Sequence, residues 1–178
     1  RIAGIYGADL SEPTKALEWS VRACELDPAD TGAREELERL ARSANALPQI
    51  VDLFESMVGV AEPELRQELL RQAARIAFSD LKESHPERAV TLYQQLLDAE
   101  PNREDAVVAL SALESLHTDA GRFEALVSVL RRQGDLVPDD DQSGAATTLH
   151  LKIASIQADL MGDTESAIAT YLEVLESD

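Results

Sequence analysis

The sequence predicts an all-α fold built from antiparallel pairs of helices, and three observations support this prediction. The 178 residues include only eight glycines and seven prolines, among many Ala, Leu, Glu and Arg, which is typical of helical proteins. Apolar residues recur at steps of three and four, as at Leu65, Leu69, Ala73 and Ile76, so they share one helix face. Short patterns also recur along the chain, which indicates repeated units.

Two kinds of unit alternate along the sequence. The first kind carries the letters RIA or KIA, at 1–3, 75–77 and 152–154. The second kind carries two leucines that enclose a glutamate, in the matching segments 37–40 and 113–116. In both kinds a polar break separates two helical patterns. Each unit is therefore predicted to be a pair of helices joined by a turn.

The breaks between helices contain residues that stop or start a helix. Most breaks carry a proline, and Asn45 and Gly121 take matched positions in two others. Asn and Gly most readily adopt the left-handed conformation that ends a helix. We therefore predict one α-solenoid segment over 1–178 with five units, of which the first is partial. The units cover 1–28, 29–62, 63–101, 102–138 and 139–178.

These units resemble the tetratricopeptide repeat family, whose unit of about 34 residues follows the pattern W-x2-L-G-x2-Y…A-x3-F…P. Segment 2–6 fits the first half of this pattern, and segments 89–101 and 167–171 fit the second half. Glu38 and Glu114 depart from it, because they stand where the family has a small residue. The resemblance covers essentially the whole chain and implies a right-handed superhelix.

Matched positions in the second helices predict which side chains are buried. A small residue recurs at Ala16, Ala89 and Ala167, so we expect these three alanines to lie where the two helices of a unit cross. Cys24 matches leucines in the other copies and is predicted to be a small buried residue, without the exposure of a reactive thiol. Trp19 falls in a mixed position, which predicts a half-exposed indole.

The ends of the chain are predicted to expose apolar surface. The opening letters RIAGIY match the second half of a first helix, so we expect the chain to be a slice of a longer array. A solenoid unit buries its face against its neighbours, and a shortened end leaves that face uncovered. The expected residues are Ile2, Ile5 and Leu10 at one end and Leu172 and Leu175 at the other. Weak self-association through these ends is the predicted consequence.

The sequence contains none of the common enzyme motifs. The nucleophile elbow, the P-loop, the dinucleotide fingerprint and the H-E-x-x-H pattern are absent. The single cysteine excludes an internal disulfide and a Cys-rich metal site. His117 and His150 fall in positions that pack, and His85 precedes a proline in a turn that we expect to be solvated. We therefore predict no enzymatic activity, no cofactor and no metal.

The acidic stretch 138–144 matches only the first half of an EF-hand calcium loop. The position that should hold the bidentate glutamate is His150, and the residues before it should already be helical. The stretch is therefore predicted to be an acidic loop between units. Ser143 or Asp141 is expected to cap the helix that follows.

Charge and hydropathy restrict the classes of partner. A net charge of −18 argues against nucleic-acid binding, because phosphate contacts need clustered Lys and Arg. No run approaches the roughly 18 apolar residues of a membrane span, so membrane insertion is not predicted. The cysteine count leaves the compartment open, with a cytoplasmic location favoured over a periplasmic or secreted one.

The family resemblance implies a concave groove lined by the first helix of each unit. Basic residues gather in the groove of units two and three, which predicts an acidic or C-terminal carboxylate peptide as partner. The alternative interpretation is that these arginines pair with the protein's own surplus of acids. The candidate groove residues are Glu35, Arg39, Arg42, Arg71, Ala74, Phe78, Leu81, Lys82, Ser115, Asp119, Leu151 and Asp159.

Two classes of function follow from the sequence. The first is a protein-interaction scaffold that presents its groove to a peptide or protein partner. The second is a structural spacer or self-associating segment of a large multi-repeat protein. A regulatory appendage of an enzyme outside these residues is a third alternative. Substitutions in the groove should abolish partner capture in the first case, whereas only substitutions at the ends should matter in the second.

Overall fold

The computed structural model describes residues 13–138 and 143–177. These residues form nine α-helices and one π-helical turn, and they contain no strand. The helices are α1 (Pro13–Leu26), α2 (Thr31–Ser43), α3 (Leu47–Val58), α4 (Pro63–Asp80), α5 (Pro86–Asp98), α6 (Arg103–Asp119), α7 (Phe123–Asp135), α8 (Ala145–Ser155), which continues into the π-helical turn Ile156–Leu160, and α9 (Thr164–Ser177).

The helices group into two compact halves. The N-terminal half ends at Ala99 and contains α1 to α5, and each of these helices packs against the next. The C-terminal half begins at Glu100 and contains α6 to α9, which again pack consecutively. Within each half the linkers are short, so neighbouring helices of that half run antiparallel. Consecutive helix packing without strands in the described ranges confirms the predicted all-α solenoid class. The handedness and the division into five units stay predictions.

Helix boundaries follow from caps, prolines and left-handed residues. The Asp30 carboxylate accepts a hydrogen bond from the backbone N–H of Ala33 at 3.1 Å and so caps α2. The Asn102 side chain accepts from the N–H of Asp105 at 3.0 Å and caps α6. Prolines stand in the first turn of α3, α4 and α5, where the missing N–H has no helical partner.

The predicted left-handed turns are confirmed, and one predicted cap is corrected. Asn45 has φ 53° and Gly121 has φ 64°, so both end the preceding helix as expected. Ser143 does not cap α8: Gly144 stands at the N-cap with φ 74°, and no side chain makes the capping hydrogen bond there. A left-handed backbone at this position suits glycine. Asp141 lies outside the described residues.

The core of each half consists of side chains from consecutive helices. In the N-terminal half, Leu37, Phe54 and Leu69 are fully buried. In the C-terminal half, a cluster joins α7 to α8 and the π-helical turn through Leu126, Val127, Leu130, Ile153 and Ile156. These residues recur at helical steps of three and four, so the sequence periodicity places them on the faces by which α7 and α8 pack together.

The predicted burial of the small side chains is confirmed. Ala16 and Ala89 are 0% exposed and Ala167 is 2% exposed. Cys24 is buried as well, and burial raises the pKa of its thiol although the charge of Arg34 opposes the shift. Trp19 is half-buried, with the Arg22 guanidinium 5.0 Å from its ring centroid.

Candidate partner-binding face

The first helices of the N-terminal half, α2 and α4, are joined by a polar network. Arg34 of α2 is only 3% exposed, and its guanidinium donates to Glu68 at 2.6 Å and to the Gln72 side-chain oxygen at 3.2 Å. It also donates to the backbone oxygen of Pro28 and to the Thr31 hydroxyl. A buried arginine is tolerated because its donors are satisfied in this way.

Glu38 lies at the centre of the same network. Its carboxylate accepts from Arg42 at 3.1 Å, from the Gln72 amide at 3.2 Å and from Arg75. Burial raises the pKa of Glu38, but the hydrogen bonds from Arg75, Gln72 and Arg42 outweigh that effect and leave the pKa below its ordinary value. Glu38 is therefore held ionised as a bridge between α2 and α4.

The two predicted groove arginines of α2 are engaged by the protein's own carboxylates. Arg39 donates to Glu36 at 2.7 and 2.8 Å, and Arg42 donates to Asp80 as well as to Glu38. Hydrogen bonding from Arg39 lowers the pKa of Glu36. An acidic ligand at these two guanidinium groups would have to compete with these internal partners.

The remaining predicted residues of the N-terminal half fall into two groups. Ala74 is 0% exposed and Leu81 is 7% exposed, so both belong to the core. This corrects their assignment to the groove, because the tight packing of α4 leaves no access to these side chains. Phe78 is half-buried between the Lys82 ammonium, 5.3 Å from its ring centroid, and the ring of Tyr93 at 6.1 Å.

A cleft of about 290 Å³ opens beside this network between α2 and α4. The predicted residues Glu35 and Arg71 line it and are exposed. Its other lining residues are Thr31, Arg34, Glu38, Glu68, Gln72 and Arg75. The cleft is therefore lined by polar and charged residues alone.

The C-terminal half repeats the central carboxylate with fewer donors. Glu114 of α6 accepts from the Gln133 amide of α7 at 2.7 Å and from the Lys152 ammonium of α8. Burial raises the pKa of Glu114, but the hydrogen bonds from Lys152 and Gln133 hold it below its ordinary value. Glu114 thus pairs with one lysine, whereas Glu38 pairs with the two arginines Arg42 and Arg75.

The C-terminal half also exposes apolar side chains on its first helices. Val107 and Val108 of α6 are 46% and 54% exposed, and Leu151 of α8 is 43% exposed. A cleft of about 400 Å³ lies between α6, α7 and the start of α8. Its lining residues are Arg103, Val107, Ser111, Glu114, Gln133, Leu136, Val137, Pro138 and Ala145.

The other predicted residues of this half are polar and lie on α6 and on the helix formed by α8 and its π-helical turn. Ser115 is half-buried and Asp119 is exposed. Asp159 is exposed and accepts a hydrogen bond from the Ser155 hydroxyl at 3.0 Å. The predicted residues of this half therefore combine neutral, acidic and apolar side chains, and their assignment to a groove stays a prediction.

The sequence reasoning missed the partners of Glu38 and Glu114. Both glutamates depart from the family pattern, and Arg75 and Lys152 are the basic residues that open the RIA and KIA segments. The structure joins them: Glu38 pairs with Arg75, and Glu114 pairs with Lys152. The glutamate and the basic residue both recur at matched positions, and this joint recurrence is the sequence signal that indicates an ion pair between them.

The three histidines differ in their burial. His117 is 3% exposed, which confirms its packing role, whereas His150 is half-buried and His85 is exposed. Positions 139–142 lie outside the described residues. Within 13–138 and 143–177, no group of three or more His, Cys, Asp or Glu side chains is arranged to hold a metal ion. In the same ranges, no helix has both the length and the apolar character to cross a bilayer.

Comparison with known proteins gives two matches. The family model of the tetratricopeptide repeat matches residues 109–142. Superkiller protein 3 of Schizosaccharomyces pombe is 23% identical over 174 residues, which is 97% of this chain and 12% of the relative. Residues 109–142 are thus similar to a tetratricopeptide repeat.

The chain spans only 12% of the length of the relative that it matches. Repeats of the family generally mediate protein–protein interaction, and they typically act as scaffolds without catalytic activity. The family model falls on α6 and α7, two of the helices that line the cleft of about 400 Å³ in the C-terminal half.

Proposed function

We propose that this chain is a non-enzymatic protein-binding module whose partner contacts the first helices of the C-terminal half. The observation that carries the proposal is the open cleft between α6, α7 and α8, with the exposed side chains of Val107 and Val108 beside it. Exposed apolar side chains around a concavity are typical of a binding surface. The family supplies the general role, which is interaction with a protein.

The chemistry of the two clefts favours the C-terminal one. At the N-terminal cleft, Arg34 and Arg75 already donate to internal carboxylates. A ligand carboxylate that replaced one of these partners would gain little, because an equally strong pair is lost. At the C-terminal cleft, burial of Val107 removes apolar surface from water without breaking an ion pair. The favoured partner segment therefore carries apolar side chains.

An acidic peptide at the N-terminal cleft is the second candidate. Arg71 is exposed at the rim of that cleft, and Arg39 is 63% exposed although it pairs with Glu36. Contacts of this kind depend on charge and weaken as salt is raised. Salt dependence therefore distinguishes this candidate from apolar recognition.

The test is a selection of peptides from a displayed random library against the immobilised chain. Enriched peptides should carry apolar side chains, and Val107→Asp should lower their affinity by about tenfold or more, because a carboxylate then faces the apolar contact. Val60→Asp is the matched control, since Val60 is 89% exposed in the other half. Peptides that lose affinity only with Arg71→Glu and with raised salt would support the acidic candidate instead. A selection without enrichment would support the spacer alternative.

A further inference from the structure

A second apolar cleft, of about 430 Å³, opens in the N-terminal half where α1 and α3 end and α4 begins. It lies beside the linkers that follow these two helices, apart from the polar network of α2 and α4. A concavity of this size falls within the range of about 300–1,000 Å³ that is typical of ligand sites. Its apolar walls are Pro28, Leu53, Met57, Val60, Ala61 and Leu65.

The apolar walls of this cleft are only partly covered by the fold. Val60 stands in the linker between α3 and α4 and is 89% exposed. Leu53 and Leu65 are half-buried, and Met57 is buried. An apolar side chain that enters the cleft would therefore remove apolar surface from water on both partners.

The cleft differs from the apolar surface at the ends of the sequence. The exposure of Leu172 and Leu175, at 54% and 72%, agrees with the expectation from the sequence, whereas Ile2, Ile5 and Leu10 lie outside the described residues. In a repeat array, a neighbouring unit decides whether such end positions are covered. The cleft is instead bounded by α1, α3 and α4, so its walls come from the described helices themselves.

The charged side chains that line the cleft are both acidic. They are Glu25 and Glu62, and both are exposed. Glu62 stands at the N-cap of α4, but its side chain makes no capping hydrogen bond. Within residues 13–138 and 143–177, neither carboxylate forms a salt bridge. Both can therefore pair with a cation of a ligand without losing an internal partner.

The helix ends at the cleft favour the same sign of charge. The C-terminus of a helix carries a partial negative charge, and neither α1 nor α3 has a basic residue in its last turn. The positive end of α4 is offset by Glu62 and Glu64. The electrostatic environment of the cleft is therefore negative.

Two arginines of the chain show which group the linker carbonyls accept. The Arg66 guanidinium donates to the backbone oxygens of Val58 at 3.3 Å and Ala61 at 3.1 Å. The Arg34 guanidinium donates to the backbone oxygen of Pro28. Because Ala61 and Pro28 line the cleft, its walls already belong to linkers that bind guanidinium groups.

We propose that this cleft binds a segment of a partner protein in which one long apolar side chain is flanked by arginines. The apolar side chain would contact Met57, Val60 and Leu65, and the arginines would pair with Glu25 and Glu62. A second copy of the chain is disfavoured as the occupant, because each copy carries a net charge of −18. The site lies in the other half from the cleft of the proposed function, and it does not rest on that proposal.

The two methionines of the sequence make the site directly observable. Met57 lines the cleft, whereas Met161 packs against the core of the C-terminal half. The chain is labelled with ¹³C at its methionine methyl groups and titrated with a short peptide that carries Arg-Leu-Arg between glycines. The variant Met161→Leu assigns the two signals. We expect the Met57 signal to shift to saturation and the Met161 signal to stay unchanged.

Two control peptides separate the apolar contribution from the charge. The first carries Arg-Ser-Arg, which keeps the charge and removes the apolar side chain. The second carries Glu-Leu-Glu, which keeps the apolar side chain and reverses the charge. We expect each control to bind about tenfold or more weakly than the Arg-Leu-Arg peptide, because it satisfies only one of the two requirements.

A variant that fills the cleft provides a test that removes no contact of the fold. Ser56 lines the cleft and is exposed, so Ser56→Trp should place an indole in the space of the ligand and weaken binding by about tenfold or more. Ser128→Trp is the matched control, since Ser128 is an exposed serine on helix α7 of the other half. Circular dichroism checks that each variant keeps its helices.

Charge variants locate the pairing carboxylates. Glu25→Gln with Glu62→Gln should weaken the Arg-Leu-Arg peptide by about tenfold. Glu83→Gln with Glu124→Gln changes the net charge equally at exposed positions that do not line the cleft, and it should have little effect. Val107→Asp, in the cleft of the proposed function, should leave the titration unchanged, so the two proposals can fail separately.

Four results would overturn the proposal. Equal binding of the Arg-Ser-Arg peptide would show attraction by net charge alone, and equal binding of the Glu-Leu-Glu peptide would show that charge plays no part. A Met57 signal that none of the peptides shifts would show that the cleft does not take such a segment. A dimer in light scattering that Ser56→Trp abolishes, and that excludes the Arg-Leu-Arg peptide, would assign the cleft to a second copy of the chain.

Discussion

Glu38 in the N-terminal half and Glu114 in the C-terminal half occupy matched positions, yet their surroundings differ. Glu38 is 13% exposed and accepts from Arg42, Gln72 and Arg75, whereas Glu114 is 26% exposed and accepts from Gln133 and Lys152. In both halves the basic residue that opens RIA or KIA supplies the charge. The comparison teaches that a glutamate can replace the family's small residue when the next first helix brings a cation to it.

The two halves also differ at the position four residues before the glutamate. Arg34 stands there in the N-terminal half and is buried in a polar network, whereas Leu110 stands there in the C-terminal half and is buried among apolar groups. The arginines of the N-terminal face therefore pair with carboxylates of the same half. The C-terminal face pairs Glu114 with Lys152 and exposes Val107 and Val108.

The largest expected effect comes from making the N-terminal half resemble the other. Arg34→Leu should destabilise the protein by about 2–4 kcal/mol, because Glu68 and the Pro28 carbonyl lose their buried donor. Adding Glu68→Leu should recover most of this loss, since no carboxylate is then left without its partner. Urea denaturation measures both changes. An Arg34→Leu variant as stable as the wild type would show that the network contributes nothing.

Overpacking at a matched alanine should destabilise the two halves to different extents. Ala89→Leu should cost about 1–3 kcal/mol, because Ala89 is fully buried and the added atoms have no space. Ala167→Leu should cost less, since α9 is exposed on its other side and can shift outward. Thermal denaturation compares the two variants, with Ala44→Leu at an exposed turn as the control. Equal costs would mean that α9 is held as rigidly as α5.

Removing the central charge should also affect the halves unequally. Glu38→Gln keeps the shape of the side chain and should cost about 1–2 kcal/mol, because three donors lose a charged acceptor. Glu114→Gln should cost about 0.5–1 kcal/mol, since one ammonium and one amide are involved. Urea denaturation gives the loss of unfolding free energy for each variant, and the loss should be larger for Glu38→Gln than for Glu114→Gln. A larger loss at Glu114 would reverse the comparison.

The smallest expected effect is on the pH dependence of stability. The pKa values of Glu38 and Glu114 are lower in the folded protein than their ordinary values. The unfolded chain therefore binds more protons as the pH falls, so this contribution is complete above about pH 5 and is lost below it. Melting temperatures between pH 7 and pH 3.5 should fall less steeply in Glu38→Gln than in the wild type. If the melting temperature falls equally steeply with pH in both proteins, the pKa of Glu38 is not lowered by folding.

The helices could be predicted because their signals are local. The apolar steps of three and four, the prolines in first turns and the left-handed residues Asn45 and Gly121 act within a few residues of their own position. The start of α8 at Gly144 was missed, because a hydroxyl at Ser143 does not ensure the geometry of a cap. The sequence indicates Ser143 as a candidate N-cap, and the backbone conformation shows that Gly144 takes the N-cap position.

The candidate face was harder to predict than the fold. Family positions placed Ala74 and Leu81 in the groove, but the packing of α4 buries both. The partners of Arg39 and Arg42 depend on which acids lie beside them in space, and Asp80 is far from Arg42 in sequence. A repeated sequence indicates which acid pairs with which base only when both residues recur at matched positions. Glu38 with Arg75 and Glu114 with Lys152 meet this condition.

The most direct test of the matched ion pairs is a double-mutant cycle in each half. The first cycle combines Glu38→Gln with Arg75→Gln, and the second combines Glu114→Gln with Lys152→Gln, with stability read from urea denaturation. The account predicts a favourable coupling of about 0.5–1 kcal/mol in both cycles, with the larger value at Glu38. Coupling energies of zero in both halves would contradict it, because the glutamates would then hold their positions without the cations of the next first helix.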